Sequence, residues 1–336
     1  MRNCSALPLC LEYAEFSELA NIVICGTNSG SVHTWNADTN EMIATSAKHF
    51  SQVSDVKPLP STKTFVSTGR DKTMIFWSWN LQPLKVIPTF EEIETIQLLP
   101  VSLASKVTNQ TLDENDSYII GSGEKAKIRV WNSKVMSEIL PVGEKKDFSI
   151  TKKGVLLKEQ KVSHLLVCGA NEEDNDDESL IIFQDDMLSL CKFKGSKNKV
   201  ESMPICSNQH EILDMIMIGE KHLVAATMSP VIKIYNLADN KNMLTLASGG
   251  HSDSVLAVNV VDEHSFVSCS KDQTVCLWNI DGNGSVKLIA KGGGHSSFVG
   301  AVGSSAKLIF SASKDGILKV NRTRNSYFKY RIDITH

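Results

Sequence analysis

Short apolar runs alternate along the chain with tight polar turns, and this alternation repeats. Four stretches share one layout, in which an apolar strand, a polar turn and a second strand follow each other: STGRDKTMIFW from Ser67, GSGEKAKIRVW from Gly121, SCSKDQTVCLW from Ser268 and SASKDGILKVN from Ser311. Apolar runs bounded by Gly, Asp, Asn and Ser are typical of β-hairpins. The pattern therefore predicts an all-β chain built from hairpins.

The residue that closes each stretch is a marker of a longer repeat. The steps between successive markers are 42, 54, 52, 52, 43 and 43 residues, and the markers are Trp35, Trp77, Trp131, Phe183, Tyr235, Trp278 and Asn321. A period of about 40 to 45 residues with four short strands is typical of WD40 blades, which stack around a channel. We expect a WD40 β-propeller of about seven four-stranded blades in residues 1–320, with loop insertions in the longer steps.

Three segments depart from the repeat. In the third blade, KVTNQTLDENDS predicts a surface loop. In the fourth, the usual turn between HLLVCGA and SLIIF is stretched by the acidic run Glu172–Glu178. Like charges repel, so a solvated loop is expected; docking of a basic partner is the alternative, and the spacing does not fit an EF-hand. Asn321 replaces the expected Trp, and residues 321–336 are predicted to form an atypical C-terminal tail.

Composition narrows the classes of protein that the chain can be. Hydrophobic residues make up 42% and charged residues 22% of the 336 residues, and the net charge is -3. This balance is typical of a globular protein, and it offers no bulk attraction to nucleic acid or anionic lipid. None of the 8 cysteines forms a CxxC pair, so we expect reduced, packed thiols. No signal peptide or membrane-spanning segment is expected.

A His, a Ser and an Asp recur at matching offsets in three blades, usually with a Trp. The predicted network comprises His49, Ser67, Asp71 and Trp77; His251, Ser268, Asp272 and Trp278; and His295, Ser311 and Asp315. Such residues also form Ser-His-Asp triads, and an enzyme using them is a rival hypothesis. However, an active site is assembled once, whereas a device present in several blades serves the architecture. We expect Asp to bind the imidazole, His to bind Ser, and Ser to bind the indole N–H.

No other segment predicts a catalytic, cofactor or metal site. GSGEKAK lacks the second glycine and the Lys-Ser/Thr pair of a phosphate loop, and HExxH, GxSxG and metal-ligand spacings are absent. The basic pairs Lys145-Lys146 and Lys152-Lys153 are expected to be exposed loop charges, with contact to RNA phosphate as the alternative. We therefore expect no enzyme, no cofactor and no metal.

Several stretches resemble one particular family of WD-repeat proteins. They lie between Lys48 and Val320 and read STGRDKTMIFW with PTFEEIETIQLLP, VAATMSPVIKIYNL, HSDSVLAVNVV, SCSKDQTVCLWNIDGNGSVKLIAKGGGH and FSASKDGILKV. A propeller does not itself require the Phe-Glu-x-x-Glu run, the Ser-Pro turn or the extended glycine-rich linker. In these features the chain resembles the transducin beta-like protein 3 family, the metazoan counterpart of the yeast U3 small nucleolar RNA-associated WD-repeat protein of the UtpB subcomplex.

The resemblance implies a scaffold of the small-subunit processome, which matures pre-18S rRNA in the nucleolus. The implied partners are other WD40 and helical subunits of a UtpB-type complex, with indirect association with snoRNA and pre-rRNA, no membrane and no small-molecule substrate. Members of the family carry two tandem propellers and a helical C-terminal domain. By its motifs this chain begins inside the first propeller and ends early in the second, so its blades form either one propeller or parts of two.

Two further expectations concern partners. A WD40 adaptor or substrate receptor of a ubiquitin ligase or a signalling complex would carry the same repeats, and it is the alternative function. In either case the rigid strands hold variable loops that contact partners. The loops Lys106–Asp116 and Glu172–Glu178 are the candidate contact surfaces.

Overall fold

The computed structural model of the chain consists almost wholly of β-strands. It describes residues 6–16, 20–39, 41–108, 110–124, 128–139, 161–168, 179–184, 187–194, 199–207, 211–219, 221–237, 244–282, 284–305, 307–324 and 327–330. These residues form seven four-stranded antiparallel sheets, the blades of a WD40-type β-propeller, which we number in chain order. The predicted fold class is confirmed. The chain divides into two compact units, Met1–Val53 with His210–His336, and Ser54–Gln209.

The first unit contains blades 1, 5, 6 and 7. Its strands are β1 (Pro8–Phe16), β2 (Ala20–Thr27), β3 (Val32–Asn36) and β4 (Met42–Ser46) in blade 1; β17 (Ile212–Ile218), β18 (His222–Thr227), β19 (Ile232–Asn236) and β20 (Leu244–Ala247) in blade 5; β21 (Val255–Asp262), β22 (Ser265–Ser270), β23 (Val275–Ile280) and β24 (Val286–Gly292) in blade 6; and β25 (Val299–Ser304), β26 (Leu308–Ser313), β27 (Leu318–Arg324) and β28 (Tyr327–Tyr330) in blade 7. Each sheet follows chain order from one edge to the other.

Apolar side chains join neighbouring blades of this unit. One cluster links blades 5 and 6 through Ile234 and Trp278, a second links blades 6 and 7, and a third joins blade 7 to blade 1 through Phe310 and Trp35. Burying one such side chain stabilises the fold by about 1.5–3 kcal/mol, so these clusters hold the blades together. The first sheet of the chain thus packs on the last.

The second unit contains blades 2, 3 and 4. Its strands are β5 (Val53–Leu59), β6 (Thr64–Gly69), β7 (Thr73–Ser78) and β8 (Pro83–Pro88) in blade 2; β9 (Ile93–Leu99), β10 (Tyr118–Gly123), β11 (Arg129–Asn132) and β12 (Ser137–Ile139) in blade 3; and β13 (Val162–Cys168), β14 (Ser179–Gln184), β15 (Met187–Lys194) and β16 (Lys199–Ser207) in blade 4. Blade 2 also carries a single 3-10 turn, Pro60–Thr62.

A helix in blade 3 corrects the loop predicted there. Helix α1 (Val101–Thr108) lies between β9 and β10, and its residues Leu103, Ala104 and Val107 are buried in the cluster that joins blades 3 and 4. VSLASKV places apolar residues three and four positions apart, which is the spacing of one helix face. The predicted surface loop is therefore, in its first part, a packed element.

Blade 4 differs from the prediction in which strand carries the marker. Phe183 lies in β14, the second strand, and pairs with Leu188 of β15. In blade 6 the corresponding pair is Phe266 and Trp278. Phe183 thus stands where Phe266 stands, and Leu188 occupies the marker position. The cause is that HLLVC forms the first strand, so the acidic run connects the first and second strands and not the second and third. The run itself lies outside the described residues.

The last sheet also corrects a prediction. The segment from residue 321 was expected to form an atypical tail, but β27 continues to Arg324, and β28 pairs with it as the fourth strand. Blade 7 is therefore completed by the segment that the sequence pattern had excluded.

Candidate functional site

In blade 6 the four predicted residues form one continuous hydrogen-bonded chain. His251, in the loop before β21, places Nε2 2.7 Å from Ser268 Oγ in β22 and Nδ1 3.2 Å from Asp272 Oδ2 in the β22–β23 turn. Trp278 of β23 donates its indole N–H to the same Ser268 Oγ over 2.8 Å. The two hairpin strands and the loop before them are thus joined through a single hydroxyl.

The protonation states of His251 and Asp272 decide the direction of these hydrogen bonds. An ionised Asp272 accepts the Nδ1 proton of a neutral imidazole, so Nε2 of His251 accepts the O–H of Ser268, whose oxygen also accepts the indole N–H. Burial lowers the pKa of His251, and this effect exceeds the opposite effect of Asp272. Burial raises the pKa of Asp272, but hydrogen bonds from Thr274 and Ser252 together with His251 bring it below its ordinary value. The fold therefore favours a neutral histidine beside an ionised aspartate.

Blade 7 repeats the network without the indole. His295 Nδ1 lies 2.9 Å from Asp315 Oδ2, and His295 Nε2 lies 3.0 Å from Ser311 Oγ. Asn321, at the marker position, is 6% exposed. Burial lowers the pKa of His295, whereas the hydrogen bonds that Asp315 accepts outweigh burial and lower the pKa of Asp315. The His, Ser and Asp are thus brought together even where the tryptophan is lost.

In blade 2, hydrogen bonds are described at Ser67 and at Asp71. Trp77 Nε1 donates to Ser67 Oγ over 2.8 Å, and Asp71 accepts from the hydroxyl and the backbone N–H of Thr73, over 2.8 and 3.2 Å. These residues lie in the second unit. His49 lies in the first unit, and its side chain is buried, with 3% of the residue exposed.

A lysine closes the same end of the network in blades 6 and 7, which the sequence reasoning missed. Lys291 of β24 donates to the Gly250 carbonyl and lies 3.5 Å from Asp272. Lys319 of β27 donates in the same way to the Gly294 carbonyl. The two lysines come from different strands, so no common sequence offset could indicate their shared role.

Blade 3 replaces the network with an arginine. Gly121 stands ten residues before Trp131, where blades 2, 6 and 7 have Ser, and Trp131 Nε1 has no hydrogen-bond partner among the described residues. Arg129 lies over the Trp131 ring at 5.2 Å and donates to Glu138 Oε1 over 2.6 Å. Burial alone would lower the pKa of Arg129, but Glu138 and Glu91 raise it above its ordinary value. A partly buried ion pair and a cation–π contact thus stand beside Trp131 in place of the Ser–Trp hydrogen bond.

An aspartate in the first strand joins neighbouring blades in each unit. The two oxygens of Asp214 accept the N–H of Met215 over 2.8 Å and that of Val258, in the next blade, over 2.9 Å. Asp55 repeats this arrangement, accepting from its own following residue and from Ile96 N–H over 3.0 Å. Both aspartates stand two residues after the strand begins, a spacing that the sequence could have shown.

The predicted contact loops have different outcomes. Between residues 106 and 116, Lys106 lies in the last turn of α1, and Asp113 accepts from Asn115 N–H over 2.9 Å and, through its carbonyl, from the Tyr118 hydroxyl over 3.1 Å. This loop is therefore held by its own hydrogen bonds. The acidic run Glu172–Glu178 and the basic pairs at 145–146 and 152–153 lie outside the described residues.

Of the six thiols that the structure describes, four are buried and two, Cys10 and Cys168, are half-buried. Cys191, Cys269 and Cys276 are buried, and burial raises the pKa of Cys191 to about 12. Among the described residues, no three His, Cys, Asp or Glu side chains are grouped so that they could hold a metal ion. No described helix has the length and apolar character needed to cross a membrane.

Comparison with known proteins agrees with the blade geometry. The family model "WD domain, G-beta repeat" matches residues 40–78 and 241–279. Transducin beta-like protein 3 of Bos taurus is 26% identical over 277 residues, which are 81% of this chain and 32% of that protein. The Homo sapiens protein of the same name is 28% identical over 269 residues, 77% of this chain and 30% of its own length.

A shorter match involves a protein with a different name. The Polycomb group protein FIE1 of Oryza sativa subsp. japonica is 31% identical over 77 residues, which are 23% of this chain. The chain thus carries WD40 repeats and is similar to transducin beta-like protein 3 over about four fifths of its length. It spans about a third of the length of those relatives.

Proposed function

We propose that this WD40-repeat chain is a non-catalytic protein-interaction scaffold of the small-subunit processome, acting with the U3 snoRNP in pre-18S rRNA processing. The observation that carries the scaffold function is the burial of the repeated network: Ser268 is 0% and Ser311 1% exposed. A hydroxyl that no solvent reaches cannot attack a substrate, whereas it can hold strands together. The similarity to transducin beta-like protein 3 supports the more specific assignment.

The same network disfavours the rival enzyme hypothesis on chemical grounds. A nucleophilic serine needs a base that takes its proton while the oxygen lone pairs attack. In blade 6 one lone pair of the Ser268 oxygen already accepts the indole N–H of Trp278, and the same Ser–Trp hydrogen bond is present in blade 2. We infer that the histidines orient strands and turns. An alanine at position 268 separates the hypotheses, because it would abolish an activity but only lower the stability of a scaffold.

The proposed partners are other WD40 and helical subunits of a UtpB-type complex, with snoRNA and pre-rRNA bound indirectly and the protein in the nucleolus. Stacked blades give a rigid frame on which loops and edges are free to differ. We also propose that the repeats occupy residues 1–320 together with strand β28. Whether the blades form one propeller or parts of two belongs to the same proposal.

Affinity purification of the tagged chain from nuclear extract tests the proposed function. Protein mass spectrometry and RNA sequencing of the eluate should recover UtpB-type WD-repeat subunits and U3 snoRNA. Ribonuclease treatment before elution should remove the RNA and keep the protein subunits, because the RNA contact is indirect. Recovery of ubiquitin-ligase or signalling subunits in their place would contradict the processome function and support the alternative adaptor.

A further inference from the structure

One aromatic side chain is held in solvent by a loop whose neighbouring residues are buried. Phe90, between β8 and β9, is 76% exposed, while Thr89 and Glu91 on either side are 2% and 4% exposed. Its backbone has a φ of 61°, in the left-handed region that bulky residues rarely adopt. A strained, exposed phenylalanine is unfavourable for folding, and such features are concentrated at functional sites.

Hydrogen bonds on both sides fix the loop in this conformation. Thr89 donates its N–H to the Lys72 carbonyl over 2.8 Å and its hydroxyl to the Glu91 carbonyl over 2.7 Å. The guanidinium of Arg129 donates to the Thr89 carbonyl. The Phe90 ring is therefore presented on a rigid support, and a rigid anchor loses little conformational entropy when it binds.

Charges of both signs surround this anchor. Arg70 Nε lies 3.8 Å from Glu92, and Lys72 Nζ lies 3.9 Å from Glu124. Glu124 also donates its N–H to the Glu92 carbonyl over 3.1 Å, which ties the β10–β11 turn to the Phe90 loop. We call Phe90, Arg70, Lys72, Glu92 and Glu124 the Phe90 surface. It combines an aromatic centre with a polar rim, as protein–protein hot spots do.

We propose that the Phe90 surface docks a folded protein that receives the Phe90 ring in an apolar pocket bordered by acidic and basic side chains. This inference rests on the proposed scaffold function and names the surface that serves it. Glu92 and Glu124 balance the charges of Arg70 and Lys72, and Glu94 also lies 3.6 Å from Arg70, so the surface does not attract phosphate and is unsuited to RNA. A protruding ring needs a preformed pocket, which a folded partner supplies.

The test compares substitutions at Phe90 with a matched exposed apolar residue. Val135 is 62% exposed and lies in the β11–β12 turn. Arg129, which contacts the Phe90 loop, lies at the other end of β11. F90S and F90G should lower the recovery of at least one protein partner by about tenfold or more, whereas V135S should not. The Tm of F90G should equal or exceed that of the wild type, because glycine adopts positive φ without strain.

The outcomes separate this inference from the proposed function. If the wild type recovers UtpB-type subunits and F90S recovers them equally well, the Phe90 surface is overturned and the processome function stands. If the wild type recovers none of them, the chain with p-benzoylphenylalanine in place of Phe90 decides the inference by photocrosslinking. The inference is supported if one protein forms an adduct that disappears when unlabelled wild-type chain competes for it and persists when unlabelled F90G competes. An adduct with RNA, or no adduct, would overturn it.

Discussion

Ser268 connects three structural elements through one oxygen atom. It accepts from Trp278 and donates to His251, which in turn is bound to Asp272. In blade 2, Ser67 and Trp77 form the same Ser–Trp hydrogen bond. At the scale of single residues, the repeat is thus maintained by buried polar groups that would be costly to leave unpaired.

Replacing Ser268 by alanine should lower the free energy of unfolding by about 1–3 kcal/mol, because the indole N–H and the imidazole lose their shared partner. Urea denaturation followed by Trp fluorescence measures the change. S252A is the matched control, since Ser252 is exposed and contributes its backbone N–H, not its hydroxyl, to Asp272. Equal stability of the two variants would contradict the role assigned to the network.

Acid should destabilise the protein in two stages. The pKa values of His251 and His295 are lowered by burial, so the unfolded chain binds protons before the folded chain does. Their contribution is complete above about pH 6.5 and is lost as the pH falls through the lowered values. Asp272 and Asp315, whose pKa values are also lowered, add a loss below about pH 4. Calorimetric Tm values between pH 8 and 3 measure both stages.

The double variant H251Q/H295Q provides the comparison for the first stage. Its Tm should vary less between pH 8 and 5 than that of the wild type. Some dependence should remain, because burial also lowers the pKa values of His33 and His222. An unchanged slope would show that the network histidines do not titrate as proposed.

The sequence was informative about these residues only where a fixed offset recurs. Ser and Trp ten residues apart, with Asp four after Ser, locate the networks of blades 6 and 2. Asn321 still occupies the marker position in a buried site, because strand register and not chemistry places it there. The spacing could not show that Arg129 takes over in blade 3, since its partners Glu91 and Glu138 come from separate loops and strands.

At the scale of elements, aspartates in first strands hold one blade to the next. Removing the carboxylate of Asp214 leaves the Val258 N–H without its acceptor, so D214A should lower the free energy of unfolding by about 1–3 kcal/mol. Urea denaturation measures the loss. Asp262 provides the control, because it is exposed and binds the N–H of His264 within its own turn. D262A should change stability by less than about 0.5 kcal/mol.

Elements inserted into the repeat were the hardest to predict. Helix α1 lies in a segment whose polar second half indicates a loop, while its apolar first half packs against blade 4. In blade 4, Phe183 resembles a marker because aromatic residues also occupy the facing position of the second strand, as Phe65 does in blade 2. Only the pairing of strands distinguishes the two positions, and the length of an insertion cannot be assigned to a particular turn from one sequence.

At the scale of the whole molecule, glycines permit the packing of blade 7 on blade 1. A Cβ on Gly300 would lie 2.3 Å from the Pro8 carbonyl oxygen, a backbone atom that cannot move aside easily. G300A should therefore lower the Tm by several degrees, corresponding to about 1–3 kcal/mol. G282A is the control, since a Cβ there meets no atom within 4 Å. Equal Tm values would contradict this contact between the first and last sheets.

The period of the markers predicts seven sheets. It does not show which sheets that are distant in the chain pack against each other. Blade 1 lies in the same compact unit as blades 5, 6 and 7, although at least 150 residues separate them. The sequence repeats a blade and does not encode its position in the series, so only the particular side chains at each face specify this arrangement.

Because blade 1 packs on blade 7, it has to wait during synthesis in the cell until blade 7 has been made. A ribosome adds about 5–20 residues per second, so blade 7 leaves it roughly 15 to 60 seconds after blade 1. During that interval Val23, Cys25 and Trp35 lack the partners that later bury them. A nascent chain therefore exposes the apolar surface of blade 1 until blade 7 has been synthesised, and its yield should depend on chaperones that cover blade 1 during that interval.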